Sequence, residues 1–180
     1  MAFFGFMRCG EFTVKSGSAT YNILRMTDID ISKDKSFYIV KLRASKTDPF
    51  RQGVSIHIFR NSNICPVETM CKYYKYRINQ GALESSPLFV NEFMSTEPLK
   101  RDTFIAYVRH LLEVIGYNSV KYCGHSFRIG AATSAAAAGI EDHLIQTLGR
   151  WSSNCYVRYI KTSKESLQLA QSSMCKSVGQ

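Results

Sequence analysis

Residues 123–133 of the chain read CGHSFRIGAAT, and this stretch is the most specific feature of the sequence. His125 and Arg128 stand three residues apart at the start of an alanine-rich segment, so both side chains should lie on one side of a helix N-terminus. Such an end carries a partial positive charge and free N–H groups, which suit it to a phosphate. Taken alone the pair is a weak signal, because a histidine and an arginine at this spacing are usually surface residues.

Short motifs flank this stretch on both sides. Upstream lie GFMRCGE at residues 5–11 and SKTD at residues 45–48, the second in a turn between two predicted strands. Downstream, LGRW at residues 148–151 ends in the only tryptophan of the chain, and Arg158 and Tyr159 follow it. The chain therefore carries five separated motifs in this order.

The hydrophobic pattern predicts a mainly α chain with a small three-stranded antiparallel sheet, an α+β fold. Segments rich in β-forming or alternating residues predict strands at 23–31, 37–44 and 54–59. Apolar spacings of three and four, several of them ended by glycine, predict helices in the rest of the chain. These helices are expected at residues 2–15, 67–78, 104–115, 126–138, 141–148, 154–160 and 164–171. We expect a single domain over residues 1–180.

The composition is that of a globular protein with a basic surplus. Of its 180 residues, 45% are hydrophobic and 21% are charged, and 23 Lys and Arg against 14 Asp and Glu give a formal net charge of +9. A surplus of this size favours a polyanionic partner, nucleic acid first and an anionic membrane surface second. No apolar run approaches the ~20 residues needed to span a bilayer, and the first residues are not typical of a signal peptide.

The six cysteines show neither a CxxC pair nor the spacing of a disulfide framework. Zinc needs four convergent ligands, usually in two close pairs, and the four histidines do not complete such pairs. We therefore predict reduced thiols in an intracellular protein and no metal site.

Together, the five motifs resemble the tyrosine recombinase, or phage integrase, family, and most of all the crypton-type recombinases of eukaryotic mobile elements. The resemblance implies the catalytic-domain fold of that family and DNA cleavage and rejoining through a 3′-phosphotyrosine. It also implies double-stranded DNA as partner, a tetramer on DNA, no cofactor, and a nuclear location for a eukaryotic element. Family members carry a DNA-clamping domain and further helices before their first arginine, so the chain is expected to be N-terminally truncated.

The resemblance implies that two arginines bind the reacting phosphate. Arg8 matches the family's first arginine and Glu11 its acidic partner, whereas His125 and Arg128 match the HxxR pair. A guanidinium group binds the non-bridging oxygens of a phosphate bidentately, which a lysine does not copy. His125 would hydrogen-bond the phosphate or accept the proton of the attacking phenol.

The same resemblance assigns the proton donor and the nucleophile. Lys46, between the second and third strands, matches the lysine that protonates the departing 5′ oxygen. Trp151 stands where members have His or Trp, and it offers an indole N–H and a packing face. Tyr159 matches the nucleophile that attacks phosphorus. The residues alone leave Tyr156 open as a rival nucleophile.

Each of these residues also has a simpler interpretation. Lys46 is by default a solvated turn lysine with Lys41, Arg43 and Arg51 close in sequence, and a lone tryptophan such as Trp151 more often belongs to a core. Two other functions stay open. One is a non-catalytic DNA-binding protein derived from such a domain, and the other is a type IB topoisomerase, which shares the chemistry.

The remaining basic residues are candidates for contacts to the DNA backbone, which would make binding depend on salt. Each of them is equally consistent with a solvated position on a helix that makes no DNA contact. The candidates are Lys72, Lys75, Arg77, Lys100, Arg101, Arg109, Lys121 and Arg150.

Overall fold

The structure, a computed structural model, describes residues 1–15, 17, 23–43, 52–92, 96–160, 162 and 164–177. Its internal contacts divide the chain into two compact units, Met1–Arg128 and Ile129–Gln180. The single domain over residues 1–180 therefore stays a prediction. In the described part of the chain, no helix has the length and apolar character that crossing a membrane requires.

The first unit contains the predicted three-stranded antiparallel sheet. The strands lie in the order β1 (Ile29–Ile31), β2 (Phe37–Leu42) and β3 (Val54–Phe59). The central strand pairs Val40 with Ile29 on one side and with Ile56 on the other. Since successive side chains alternate between the two faces of a strand, Tyr38, Val40 and Leu42 share the buried face of the sheet.

The first strand is shorter than the predicted strand at 23–31. A bridge at Arg25 and a 3-10 turn over Met26–Asp28 replace its first part. The buried carboxylate of Asp28 accepts a hydrogen bond from the backbone N–H of Arg25 at 2.8 Å. This side-chain bond competes with ladder pairing, and the chain turns instead of extending. Residue 44, the predicted end of the second strand, lies outside the described residues.

The predicted helix at residues 2–15 is wrong. Turns connect residues 2–6, and only Cys9–Glu11 forms a short 3-10 helix. Phe6 has a φ angle of 47°, in the left-handed region that an α-helix of L-residues excludes. The segment is apolar because it is buried, with Met7 completely inaccessible to solvent. A buried irregular segment and a buried helix leave the same apolar pattern in a sequence.

The α-helices predicted after the sheet are present, with small shifts of their ends. In the described residues they are α1 (Pro66–Asn79), α2 (Arg101–Val114), α3 (Ser126–Ala137), α4 (Asp142–Gly149) and α5 (Lys164–Ser177). Helix α5 extends six residues beyond its predicted end at 171. The short helix predicted at 154–160 is a 3-10 helix over Asn154–Tyr159. The boundary between the two units lies inside α3.

Each unit has its own buried side chains. The core of the first unit packs the sheet with the irregular N-terminal segment, α1 and the loop around Leu88. In the second unit, Ala131, Ala132 and Ala135 of α3 are buried, as are Ile145 of α4 and Trp151. The small alanine side chains allow the backbone of α3 to approach its neighbours closely.

Candidate active site

Arg8 and Glu11 form a close ion pair at the 3-10 helix of the first unit. Nη1 of Arg8 lies 3.1 Å from Oε1 of Glu11, and the backbone N–H of Arg8 donates to Oε2 at 2.8 Å. The side chain of Glu11 is 5% exposed and that of Arg8 is 18% exposed. A buried carboxylate with both oxygens engaged holds the guanidinium in one orientation, while the other guanidinium N–H groups are further donors for a phosphate.

Arg128 is anchored on the same segment of the chain. It lies in the first turn of α3, is only 3% exposed, and donates from Nη1 to the carbonyl oxygen of Phe6. Phe6 precedes Arg8 by two residues, so both predicted phosphate-binding arginines are bound to residues 6–11. The structure thereby brings together Arg8, Glu11 and Arg128, although 122 positions separate Phe6 from Arg128.

His125 lies in the turn immediately before α3 and is exposed. Gly124 beside it is buried, and a Cβ added there would lie 3.0 Å from Cβ of Cys9 and 3.4 Å from Nη2 of Arg101. The turn that carries His125 is therefore packed against the residue that follows Arg8. A side chain at position 124 would push the turn away from this contact.

Two arginines of α2 lie against the segment before His125, a placement that no pattern in the sequence predicts. The guanidinium of Arg101 lies over Gly124, and Nε of Arg109 donates to the carbonyl oxygen of Tyr122 at 3.1 Å. From the sequence, both are candidates for DNA contacts only. No spacing in the sequence signals these contacts, because they join α2 to a loop further along the chain.

The second unit brings Trp151 together with both candidate nucleophiles. The ring centroid of Trp151 lies 5.6 Å from that of Tyr156 and 6.0 Å from that of Tyr159. Tyr156 is 4% exposed, and burial, with the negative charge of Asp142 as a lesser cause, raises the pKa of its phenol. Tyr159 is only half-buried. Of the two phenols, that of Tyr159 is the more accessible to a substrate.

Lys46 lies outside the described residues, so its role stays a prediction. Two basic residues close to Lys46 in sequence, Lys41 and Arg43, bind carboxylates. Nζ of Lys41 lies 3.5 Å from Oδ2 of Asp30, and Arg43 donates from Nε and Nη2 to Oδ1 of Asp28 at 3.1 and 3.0 Å. The ion pair between Arg43 and Asp28 fixes the end of β2.

The candidates for DNA contacts differ widely in exposure. Lys72, Lys75 and Lys121 are exposed, whereas Lys100, Arg101 and Arg150 are half-buried. Arg77 is the exception, because it is 4% exposed and donates from Nη2 to the carbonyl oxygen of Pro87 at 3.1 Å. This bond gives Arg77 a structural role in the first unit, and its contact with a phosphate stays a prediction.

A protein-family model matches most of the chain. The phage integrase family model matches residues 11–166. The chain belongs to the phage integrase family. The family match includes His125, Arg128, Trp151 and Tyr159, whereas Arg8 precedes its first residue. No curated protein sequence matches the chain.

Solved structures of recombinases share the fold. The crystal structure of XerA recombinase matches with a TM-score of 0.67 at 21% identity, covering 96% of this chain and 54% of that one. The crystal structure of the XerH site-specific recombinase bound to difH substrate, a pre-cleavage complex, matches with a TM-score of 0.64 at 15% identity, covering 95% and 44%. The chain thus has the fold of a tyrosine recombinase catalytic domain and spans about half the length of these recombinases.

The His, Cys, Asp and Glu side chains show whether the described residues offer a metal site. In the part of the chain that the structure describes, no group of three or more His, Cys, Asp or Glu side chains is arranged to hold a metal ion. In the first unit, two arginines and a carboxylate that orients one of them are bound to residues 6–11, and the turn that carries His125 packs against Cys9 of that segment. Such a set can bind an oxyanion and exchange protons with it.

Proposed function

We propose that the chain supplies the catalytic centre of a site-specific DNA recombinase that acts through a covalent 3′-phosphotyrosine. The observation that carries the proposal is the anchoring of Arg8 and Arg128 on one short segment, with Glu11 orienting Arg8. Two fixed guanidinium groups suit a phosphodiester, whose non-bridging oxygens gain charge in the transition state. Family membership and fold support the same class of reaction.

In the proposed reaction, the phenol oxygen of Tyr159 attacks phosphorus and the bond from phosphorus to the 5′ oxygen breaks. His125 accepts the phenol proton, and Lys46 gives a proton to the departing 5′ oxygen. The phosphotyrosine conserves the energy of the broken phosphodiester. The 5′-hydroxyl of a second strand then attacks the phosphotyrosine, which rejoins DNA and releases Tyr159.

The proposed partner is double-stranded DNA, bound by a tetramer that joins two duplexes. The formal net charge of +9 and the exposed side chains of Lys72, Lys75 and Lys121 support binding to a polyanion. XerH, which shares the fold, was crystallised with its difH substrate. The crypton-like type, and the nuclear location that goes with it, rest on the resemblance of the motifs and stay predictions.

Covalent capture on DNA tests the nucleophile without knowledge of the target sequence. The purified chain is incubated with nicked duplexes whose sequence around the nick is randomised, since a nick lets the released 5′ end diffuse away and traps the intermediate. Complexes that resist detergent are counted, and the DNA retained in them is sequenced. The Tyr159→Phe and Tyr156→Phe variants are measured in parallel.

We expect a covalent complex with the unmodified chain and with Tyr156→Phe, and a loss of more than about 100-fold with Tyr159→Phe. A complex that survives Tyr159→Phe and is lost in Tyr156→Phe would transfer the role of nucleophile to Tyr156. Salt-sensitive DNA binding with no covalent complex in any variant would contradict the proposed catalysis and favour a DNA-binding protein.

A further inference from the structure

The hydroxyl of Thr133 contacts the backbone of the proposed nucleophile. Thr133 is a half-buried residue of α3, and its Oγ1 lies 2.7 Å from the carbonyl oxygen of Tyr159. The same Oγ1 lies 3.0 Å from the carbonyl oxygen of Ile129, one turn earlier in the helix. A threonine in a helix commonly bonds the carbonyl four residues before it. Here the shorter contact is the one to Tyr159.

The position of Tyr159 explains why this contact matters. Tyr159 ends the 3-10 helix Asn154–Tyr159, and the last carbonyl groups of a helix need partners from outside it. Thr133 supplies such a partner for the Tyr159 carbonyl, while the ring of Trp151 packs on the Tyr159 side chain with centroids 6.0 Å apart. The backbone and the ring of Tyr159 are thus each held by a different residue of the second unit.

We propose that Thr133 is a positioning residue for Tyr159, which it holds through its backbone carbonyl so that the phenol keeps one orientation. The inference rests on the proposed function, because it gives Thr133 a part in ordering the nucleophile. An error of about 1 Å in the position of a reacting group costs about 100-fold in rate. The hydroxyl therefore acts on the rate of cleavage and not on the affinity for DNA.

Thr133→Val, which removes the hydroxyl and keeps the shape, and Thr133→Ser, which keeps the hydroxyl, test the role. Thr147→Val is the matched control, because the Thr147 hydroxyl donates to the His143 carbonyl of its own helix at 2.8 Å. The rate of covalent complex formation and the affinity for the same duplex are measured for each. We expect Thr133→Val to slow cleavage at least about tenfold at unchanged affinity, and Thr133→Ser and Thr147→Val to stay within about threefold of the unmodified chain.

Fluorescence of Trp151 provides a readout that needs no DNA. Trp151 is the only tryptophan of the chain and packs against Tyr159, so quenching by acrylamide reports how tightly that segment is held. We expect the quenching constant to rise in Thr133→Val and to stay unchanged in Thr133→Ser and Thr147→Val. Thermal unfolding confirms that each variant is folded.

The outcomes separate this inference from the proposed function. If the unmodified chain forms covalent complexes and Thr133→Val forms them at the same rate, the positioning role is overturned and the recombinase function stands. Equal slowing in Thr133→Ser and Thr133→Val would also overturn the role, since the hydroxyl would then have no effect. If no protein forms a covalent complex, the proposed function fails, and unchanged quenching in Thr133→Val would overturn the contact itself.

Discussion

Gly149 allows the ring of Trp151 to lie directly on the backbone at the end of α4. A Cβ at position 149 would lie 1.6 Å from Cζ3 and 1.9 Å from Cε3 of the indole. Arg150 follows in the left-handed conformation, with φ of 56°, and its N–H and that of Trp151 bond the last carbonyls of the helix. The LGRW motif is thus a helix end that places an aromatic ring, and its glycine is a steric requirement.

A Gly149→Ala variant tests this requirement at the scale of one residue. We expect its free energy of unfolding to fall by about 1–3 kcal/mol, because the indole must leave its site or the turn must shift. The Trp151 emission should move to longer wavelength as the ring becomes exposed. Gly10→Ala is the control, since nothing lies within 4 Å of a Cβ at that position, and it should change stability by less than about 0.5 kcal/mol. Equal effects of the two substitutions would contradict the steric account.

The contacts that could be expected are those whose partners lie close in sequence. Arg8 and Glu11 pair over three positions, as the family resemblance implies. The contact of Arg128 with Phe6 spans 122 positions, and no local pattern predicts it. The burial of Arg77 was equally unpredictable, because its charge suggested an exposed residue, whereas its neighbours in the fold bury it.

At the scale of elements, the helices were predictable because their signals are local. Helix α1 begins with Pro66, a residue favoured in the first turn, and Cys65 caps it by accepting the backbone N–H of Glu68 at Sγ, 3.4 Å away. The irregular segment at residues 2–15 was not predictable in the same way. Its apolar residues follow from burial, and its path depends on the Glu11 carboxylate and on Phe6 in a left-handed conformation.

The hydrogen bond that caps α1 is expected to make the thiol of Cys65 more reactive than that of Cys9. The Glu68 N–H, and to a lesser degree the charge of Arg60, lower the pKa of the Cys65 thiol, whereas burial raises the pKa of Cys9. A lowered pKa means more thiolate at a given pH, and the thiolate is the form that reacts. We expect iodoacetamide to modify Cys65 well before Cys9, with a reaction midpoint below the usual pH of a thiol.

Peptide mass spectrometry over a series of pH values measures this order. The Cys65→Ser variant should lose the reaction at lower pH and leave the slow modification of Cys9 unchanged. Modification of Cys9 at the same rate as Cys65 in the folded protein would contradict the described burial of Cys9, which is 2% exposed.

At the scale of the whole molecule, the net charge of +9 sets how the chain should respond to salt. Lys72 and Lys75 lie three positions apart on α1 and are both exposed, so they present two charges on one face. If they contact phosphates, replacing both with alanine should make the negative slope of log K against log salt shallower by about 2 for a mixed-sequence duplex.

The Lys72→Arg, Lys75→Arg double variant keeps both charges and is the control for this measurement. It should retain the slope of the unmodified chain, because the electrostatic contribution depends on charge and not on side-chain shape. An alanine variant with an unchanged slope would remove α1 from the predicted DNA interface and leave other basic residues to carry it.

The sequence by itself determined the family, the three-stranded sheet, the helices after it and the order of the motifs. These depend on local periodicity, on helix-ending glycines and on residue types at short spacing, all of which can be read along the chain. Only the tertiary structure decided that Arg128 binds the Phe6 carbonyl, that Thr133 binds the Tyr159 carbonyl, and that Tyr156 is the buried phenol. Such contacts join residues far apart in sequence, and burial is a property of the packed molecule, so neither leaves a pattern in the local sequence.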